Sequence, residues 1–298
     1  MAHAVGTAAA RAPWRRYVEL TKPRVVALMV FTVAVGMMLA APQGVPWRVG
    51  LFGTAGIAML ACSAAALNHL IDRRVDAVMA RTRARPLPSG TLQSVQAAAF
   101  AAVLGAGGTA LLVAFTNNLC AVLTLASLVG YAGVYSLFLK RSTPQNIVIG
   151  GAAGAAPPLL GWVAVTGHLD AGGIVLFLII LVWTPPHFWA LAIHRRDDYA
   201  RAALPMLPVT HGVPFTCRRI LGYTLLLWAV SLLPVAIGMA HLPYLVGAAV
   251  LGGRFTWLAW RLRQDTRLAM PVFRFSIAYL AALFALLLVD HWFTPGGG

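Results

Sequence analysis

The chain has 298 residues, of which 60% are hydrophobic and only 10% charged, with a formal net charge of +15. So much apolar surface with so little charge excludes an ordinary soluble core of this length and points to the bilayer as solvent. The excess of arginine and lysine falls in alternate connections, so it reads as a topology signal and not as a nucleic-acid surface.

A hydrocarbon layer of roughly 30 Å is crossed by about 20 mostly apolar residues in a helix. Such stretches recur at 25–41, 50–71, 92–115, 119–139, 147–165, 174–193, 220–240, 243–260 and 272–289. They predict an all-α polytopic membrane protein with nine transmembrane helices, a tail over 1–20, a single transmembrane domain over 21–293 and a short tail over 294–298. Arg11, Arg15, Arg16, Lys22 and Arg24 precede the first stretch, whereas the next connection holds only Arg48. Arg73, Arg74, Arg81, Arg83 and Arg85 fill the connection over 72–91, and the one that follows holds none. Lys140 and Arg141 continue the alternation, as do Arg195, Arg196, Arg201, Arg218 and Arg219, and then Arg261, Arg263, Arg267 and Arg274. The positive-inside rule therefore puts the N-terminus in the cytoplasm and the C-terminus outside. Arg254 falls within a stretch, where it either snorkels to the interface or pairs internally.

Cys62, Cys120 and Cys217 have no CxxC spacing, which argues against a disulfide framework or a thiolate metal site. The first 20 residues lack an apolar core followed by a cleavage site, so no cleaved signal is expected. A bacterial inner membrane fits this tail better than a mitochondrial one. Small residues over Gly150–Pro158 allow close helix approach. The pairs Pro157, Pro158 and Pro185, Pro186 should kink their helices and free carbonyls that need a partner or a cavity. The connections over 72–91 and 194–219 are long for a compact bundle, a mark of lids and binding segments.

Only eight acidic residues occur, so their positions carry information. Asn68, Asp72 and Asp76 are spaced i, i+4, i+8 and share one helix face. Carboxylate and amide oxygens suit Mg²⁺, which commonly binds a few protein ligands together with substrate phosphates. A helix C-terminus disfavours carboxylates, so helix stability gives no reason for the pair. The alternative is an interfacial ion-pair network with Arg73 and Arg74, a reading that leaves Asn68 unused. A second cluster carries His194 and Asp198 at i, i+4, with His187 a further seven residues back. All three share a face if the helix stays regular, with His187 roughly 16 Å deeper than Asp198. The alternatives are a buried, hydrogen-bonded His187 completing the proline kink and an interfacial His194. Arg81, Arg83 and Arg85 could grip phosphate as forks, joined by Lys22, Arg73, Lys140 and Arg141 on the same side; singly, each is as well a topology charge or a lipid contact.

The segment NHLIDRRVDAVMARTRARPLPSG resembles the first aspartate motif and following loop of the UbiA-type intramembrane prenyltransferases. TKP at Thr21 to Pro23, the stretch Tyr135 to Trp162 and the stretch Thr184 to Val209 are similar to that family's haem-modifying branch. The resemblance implies a nine-helix bundle around a lipid-facing cavity, Mg²⁺-bound farnesyl diphosphate as donor and haem b as acceptor. Asn68, Asp72, Asp76 and Asp198 would then be the metal and catalytic positions, with His187 and His194 on the haem. His194 stands where the wider family's second motif has an aspartate, which puts a symmetric two-metal site in doubt. Haem A synthase or an assembling terminal oxidase would be partners, besides membrane lipid. The rivals are an aromatic quinone-precursor acceptor within the same family and, in another class, a secondary transporter, whose charges would lie near the midplane.

Overall fold

The computed structural model describes residues 12–79 and 82–293; Arg11, Arg81 and the tail over 294–298 lie outside the described residues, and so does the side chain of Arg141. Within them the fold is all-α, without strands. A short helix, α1 (Pro13–Leu20), precedes nine helices, counted over the described residues, that are long and apolar enough to cross a membrane. These are α2 (Pro23–Ala40), α3 (Val49–Val78), α4 (Ser94–Phe115), α5 (Asn118–Leu139), α6 (Asn146–Thr166) and α7 (Ala171–His194), followed by α10 (Val213–Ala236), α11 (Leu242–Leu262) and α12 (Thr266–Phe293). The short helices α8 (Arg196–Arg201) and α9 (Leu207–Thr210) lie between α7 and α10.

Local chemistry sets the helix ends. Pro23 opens α2, where its missing N–H costs nothing, and Lys22 before it adopts the left-handed conformation (φ 51°), which turns the chain sharply from α1 into α2. Gln93 and Gln96 form a reciprocal capping box at the start of α4. Asn117 caps α5 by accepting from the Cys120 N–H (2.8 Å), while its own amide donates to the Val163 carbonyl (2.8 Å) and ties α5 to the end of α6.

Sequence neighbours pack as α3 with α4, α6 with α7, α10 with α11 and α11 with α12; α12 returns to α7 and α2, and α2 lies along α6. That last crossing rests on small residues: a Cβ at Gly36 would strike the Pro158 carbonyl, and one at Gly161 the Val33 carbonyl. Such approach is how membrane helices gain contact without a hydrophobic driving force between them.

The expected proline kinks do not break either helix, since α6 and α7 run on through Pro157, Pro158, Pro185 and Pro186. One of the expected freed carbonyls finds a partner: Pro157 cannot donate to the Ala153 carbonyl, and Ser127 of α5 donates there instead (3.2 Å). Arg254 is exposed, and its guanidinium lies over the Phe275 ring of α12 at 5.5 Å.

Candidate active site

The three-residue row on α3 is buried: Asn68, Asp72 and Asp76 are at most 4% exposed. Charged groups that deep need partners, and each member of the row faces a cation from a different element. Lys22, set by the left-handed turn, donates to Asn68 Oδ1 (2.6 Å). Lys140, just past α5, pairs with Asp72 Oδ2 (2.5 Å). Arg85, from the connection before α4, pairs with Asp76 Oδ2 (2.6 Å). The Asn68 amide bridges within the row to Asp72 Oδ2 (2.8 Å) and across to Ser136 Oγ (3.0 Å).

Two features of the surroundings build this arrangement. The second half of α5, Gly130–Leu139, is π-helical, a wider turn often found at functional sites; it carries Ser136 to Asn68 and leads into Lys140. The connection over 82–92 is a folded unit: Thr82 Oγ1 donates to the Asp76 carbonyl (2.9 Å), Arg16 donates to the Thr91 carbonyl (2.6 Å), and Leu87 and Leu92 pack with Leu20 and Ala97. Arg85 is thereby aimed at Asp76. Ser136 and Thr82 had no signal in the sequence beyond their place near the motif.

Beyond the row a cavity of about 630 Å³ opens between α2, α3, α5, α6, α7 and α12. Lys22, Tyr131 and Tyr135 line it toward the Asp72 end, with Lys22 at 6.0 Å from the Tyr131 ring and the two tyrosines stacked at 5.6 Å. The rest of the wall is chiefly apolar, with Gly150, Gly151 and Gly154 making room. His187 lies in that wall between the stacked rings of Trp183 (4.2 Å) and Phe273 (4.6 Å). Its Nδ1 is 2.7 Å from Ser276 Oγ, and Ser276 spends its own proton on the Phe273 carbonyl (2.6 Å). Ser276 must therefore accept from His187, which assigns the proton to Nδ1 and leaves the Nε2 lone pair for a ligand.

The remaining sequence candidates are placed differently. α7 stops at His194, and Arg195 breaks the helix (φ −107°, ψ 22°), so Asp198 lies in the first turn of a new short helix instead of continuing the His187 face. The physical reason is polarity: Asp197 and Asp198 sit better in the first turn of α8 than at the negative end of α7. Asp198 pairs with Arg195 (3.6 Å) and with Arg201, and His194 is exposed. Among the described residues no three His, Cys, Asp or Glu side chains come together as a metal cluster, so Asp198 does not join Asp72 and Asp76. Arg73 turns away from the row and donates to Ser94 Oγ. A residue that the sequence did not single out, His69, is buried beside the row with neither ring nitrogen partnered.

The donor set suits a hard cation. Asn68, Asp72 and Asp76 offer amide and carboxylate oxygens, and Asp72 Oδ1 is buried with no hydrogen-bond partner.

Residues 29–283 match the UbiA prenyltransferase family. A protoheme IX farnesyltransferase of Marinobacter nauticus is 60% identical, covering 97% of each chain, and that of Azotobacter vinelandii 58%, covering 98% of each. Among solved structures, a digeranylgeranylglyceryl phosphate synthase superposes with a TM-score of 0.80 at 18% identity over 94% of this chain and 98% of its own. A UbiA homologue from Archaeoglobus fulgidus bound to DMAPP and Mg²⁺ superposes with a TM-score of 0.62, also at 18% identity, over 92% and 99%. At such identity these structures speak for the fold.

Proposed function

We infer, since the chain belongs to the UbiA prenyltransferase family, that it transfers the farnesyl group of farnesyl diphosphate to a vinyl group of haem b; its relatives are named as farnesyltransferases of protoheme IX. The observation that carries the reading is a row of buried oxygen donors faced by three cations, beside an apolar cavity that holds a single-tautomer imidazole.

Lys22, Arg85 and Lys140 already point their donors at anionic or amide oxygens, and a diphosphate would take over those bonds. Asn68, Asp72 and Asp76 would hold Mg²⁺, which when bound neutralises charge on the leaving group. The cations stabilise that charge as the allylic C–O bond breaks and the diphosphate leaves with the electron pair. The cavity wall keeps water from the farnesyl cation until a haem vinyl carbon attacks it. Water then adds to the other vinyl carbon and loses a proton, which gives the hydroxyethylfarnesyl side chain.

For the acceptor, His187 Nε2 is the nitrogen free to meet haem iron, and Ser276 orients it as a hydrogen-bonded outer partner orients a metal-bound histidine. His194 lies two helical turns on, about 10 Å toward the exposed end, where a propionate would reach it. Asp198 lies at the same end, and its role as a further ligand follows if the diphosphate draws Arg195 and Arg201 away from it. So apolar a product stays in the bilayer, which supports hand-over to a membrane partner such as haem A synthase or a terminal oxidase under assembly. The bacterial relatives support the bacterial inner membrane as its location.

The test is conversion in vesicles of the full chain supplied with farnesyl diphosphate, Mg²⁺ and haem b. The expected product is a heavier, more hydrophobic haem that fails to form without the diphosphate. Prenylation of an aromatic quinone precursor with haem b left unchanged would overturn the assignment.

A further inference from the structure

Arg73 and Arg74 follow Asp72 directly, yet neither serves the buried row. Both are exposed, and neither pairs with a carboxylate among the described residues. They stand over a groove of about 510 Å³ between α3 and α4, whose floor is Leu70, Ile71, Val95 and Ala98. Because α3 and α4 are antiparallel, the groove is graded along the bundle axis: Arg73, Arg74 and Ser94 lie at the Asp72 end with Val95 beside them, and Leu70, Ile71 and Ala98 lie about a turn deeper. Ser94 Oγ accepts from Arg73 and holds that guanidinium against the first turn of α4, whose amides favour negative charge.

We propose that this groove binds an anionic phospholipid, with its phosphate on Arg73 and Arg74 and one acyl chain along the floor. Three properties favour such a lipid. Its phosphate matches two guanidinium groups that have no carboxylate partner among the described residues better than any neutral headgroup does. A free phosphate would leave the apolar floor unused, whereas an acyl chain covers Leu70, Ile71 and the exposed Val95. No acidic side chain lines the groove, so an ammonium headgroup would meet only like charge. Basic pockets between helices at the cytoplasmic face commonly take anionic headgroups. The occupied groove would cover the outer side of α3, whose inner side carries Asn68, Asp72 and Asp76.

The proposal is tested on the full chain, delipidated in mild detergent and titrated with phosphatidylglycerol or with phosphatidylethanolamine of the same acyl chains. Native mass spectrometry counts bound lipid, and the thermal midpoint follows occupancy. Phosphatidylglycerol is expected to bind and stabilise, and phosphatidylethanolamine to do so far less. Arg73→Gln combined with Arg74→Gln should weaken phosphatidylglycerol about thirtyfold, about fivefold for each arginine. Ala98→Phe fills the floor, keeps both charges and should also abolish retention, so it carries the test if the double variant does not fold. Equal binding of the two lipids, or binding untouched by Ala98→Phe, would overturn the proposal. So would displacement by inorganic phosphate alone, since that would reveal an anion site with no lipid in it.

Discussion

Asp72 is the residue on which the active-site reading turns. Its Oδ2 accepts from Asn68 and pairs with Lys140, while its Oδ1 is buried without a partner. Asp72→Asn keeps the shape and removes the charge, leaving Lys140 uncompensated and the oxygen set poorer for a hard cation. Turnover of farnesyl diphosphate is expected to fall by about 10²–10³, the scale of losing one preorganised electrostatic contact. The protein should still reach the membrane, which immunoblotting of washed membranes would check, and undiminished product would contradict the role given to this row. Ser276→Ala tests the other end of the cavity. Without an acceptor at Nδ1 the His187 proton is free to move to Nε2, and haem affinity should drop about tenfold, as it does when an outer partner of a metal-bound histidine is lost. A Soret titration reads that change, while the concentration dependence on farnesyl diphosphate stays as it was. Much of this site was legible: two scarce aspartates and an asparagine at intervals of four suffice to put three oxygens on one face. Their partners were not. Lys22 reaches Asn68 only through a left-handed turn, and Ser276 lies 89 positions from His187, beyond the reach of any local spacing rule.

At the scale of elements, hydropathy located the nine spans but not what the helices do near their ends. α3 runs to Val78, well past the apolar stretch: Asn68, His69, Asp72 and Asp76 are buried against neighbouring elements, while Arg73 and Arg74 face outward. The π-helical turn of α5 is invisible to an apolar count, since it changes hydrogen-bond spacing without changing composition. The break after His194 was missed because a regular helix was extended through Arg195, where dipole polarity favours a restart. The α2 to α6 crossing gives this level its test. Gly36 and Gly161 each face a carbonyl of the opposite backbone, so an added methyl cannot be met by rotating a side chain. Gly36→Ala should separate the two helices and cost about 1–3 kcal/mol, the usual range for overpacking. A thermal midpoint several degrees lower in detergent is expected, together with weaker haem binding, because both helices line the cavity. Gly154→Ala is the control: it faces open space in α6, the other helix of the crossing, and should leave the midpoint unchanged.

For the molecule as a whole, function depends on which ends of the helices meet. The start of α2, the ends of α3, α5 and α7 and the connection over 82–92 all gather at one end, so the row, its cations, Asp198 and the arginine-lined groove form a single charged face. The opposite end is organised differently. There Asp290 of α12 is buried and accepts from the backbone N–H groups of His241 (2.7 Å) and Tyr244 (3.1 Å), which staples α11 to α12. Free farnesyl diphosphate is water-borne at its head, so the charged face has to meet the compartment that supplies it. By the positive-inside rule we propose that this face is cytoplasmic. Single cysteines test the assignment, since Cys120 and Cys217 are buried and Cys62 is only partly accessible. Ser89→Cys, in the connection that carries Arg85, should react with an impermeant maleimide in inverted membrane vesicles and stay unlabelled in intact spheroplasts. Gln43→Cys, in the connection between α2 and α3, should show the reverse pattern. Labelling of Ser89→Cys from outside intact cells would turn the bundle over and place the diphosphate site on the wrong side of the membrane for its substrate.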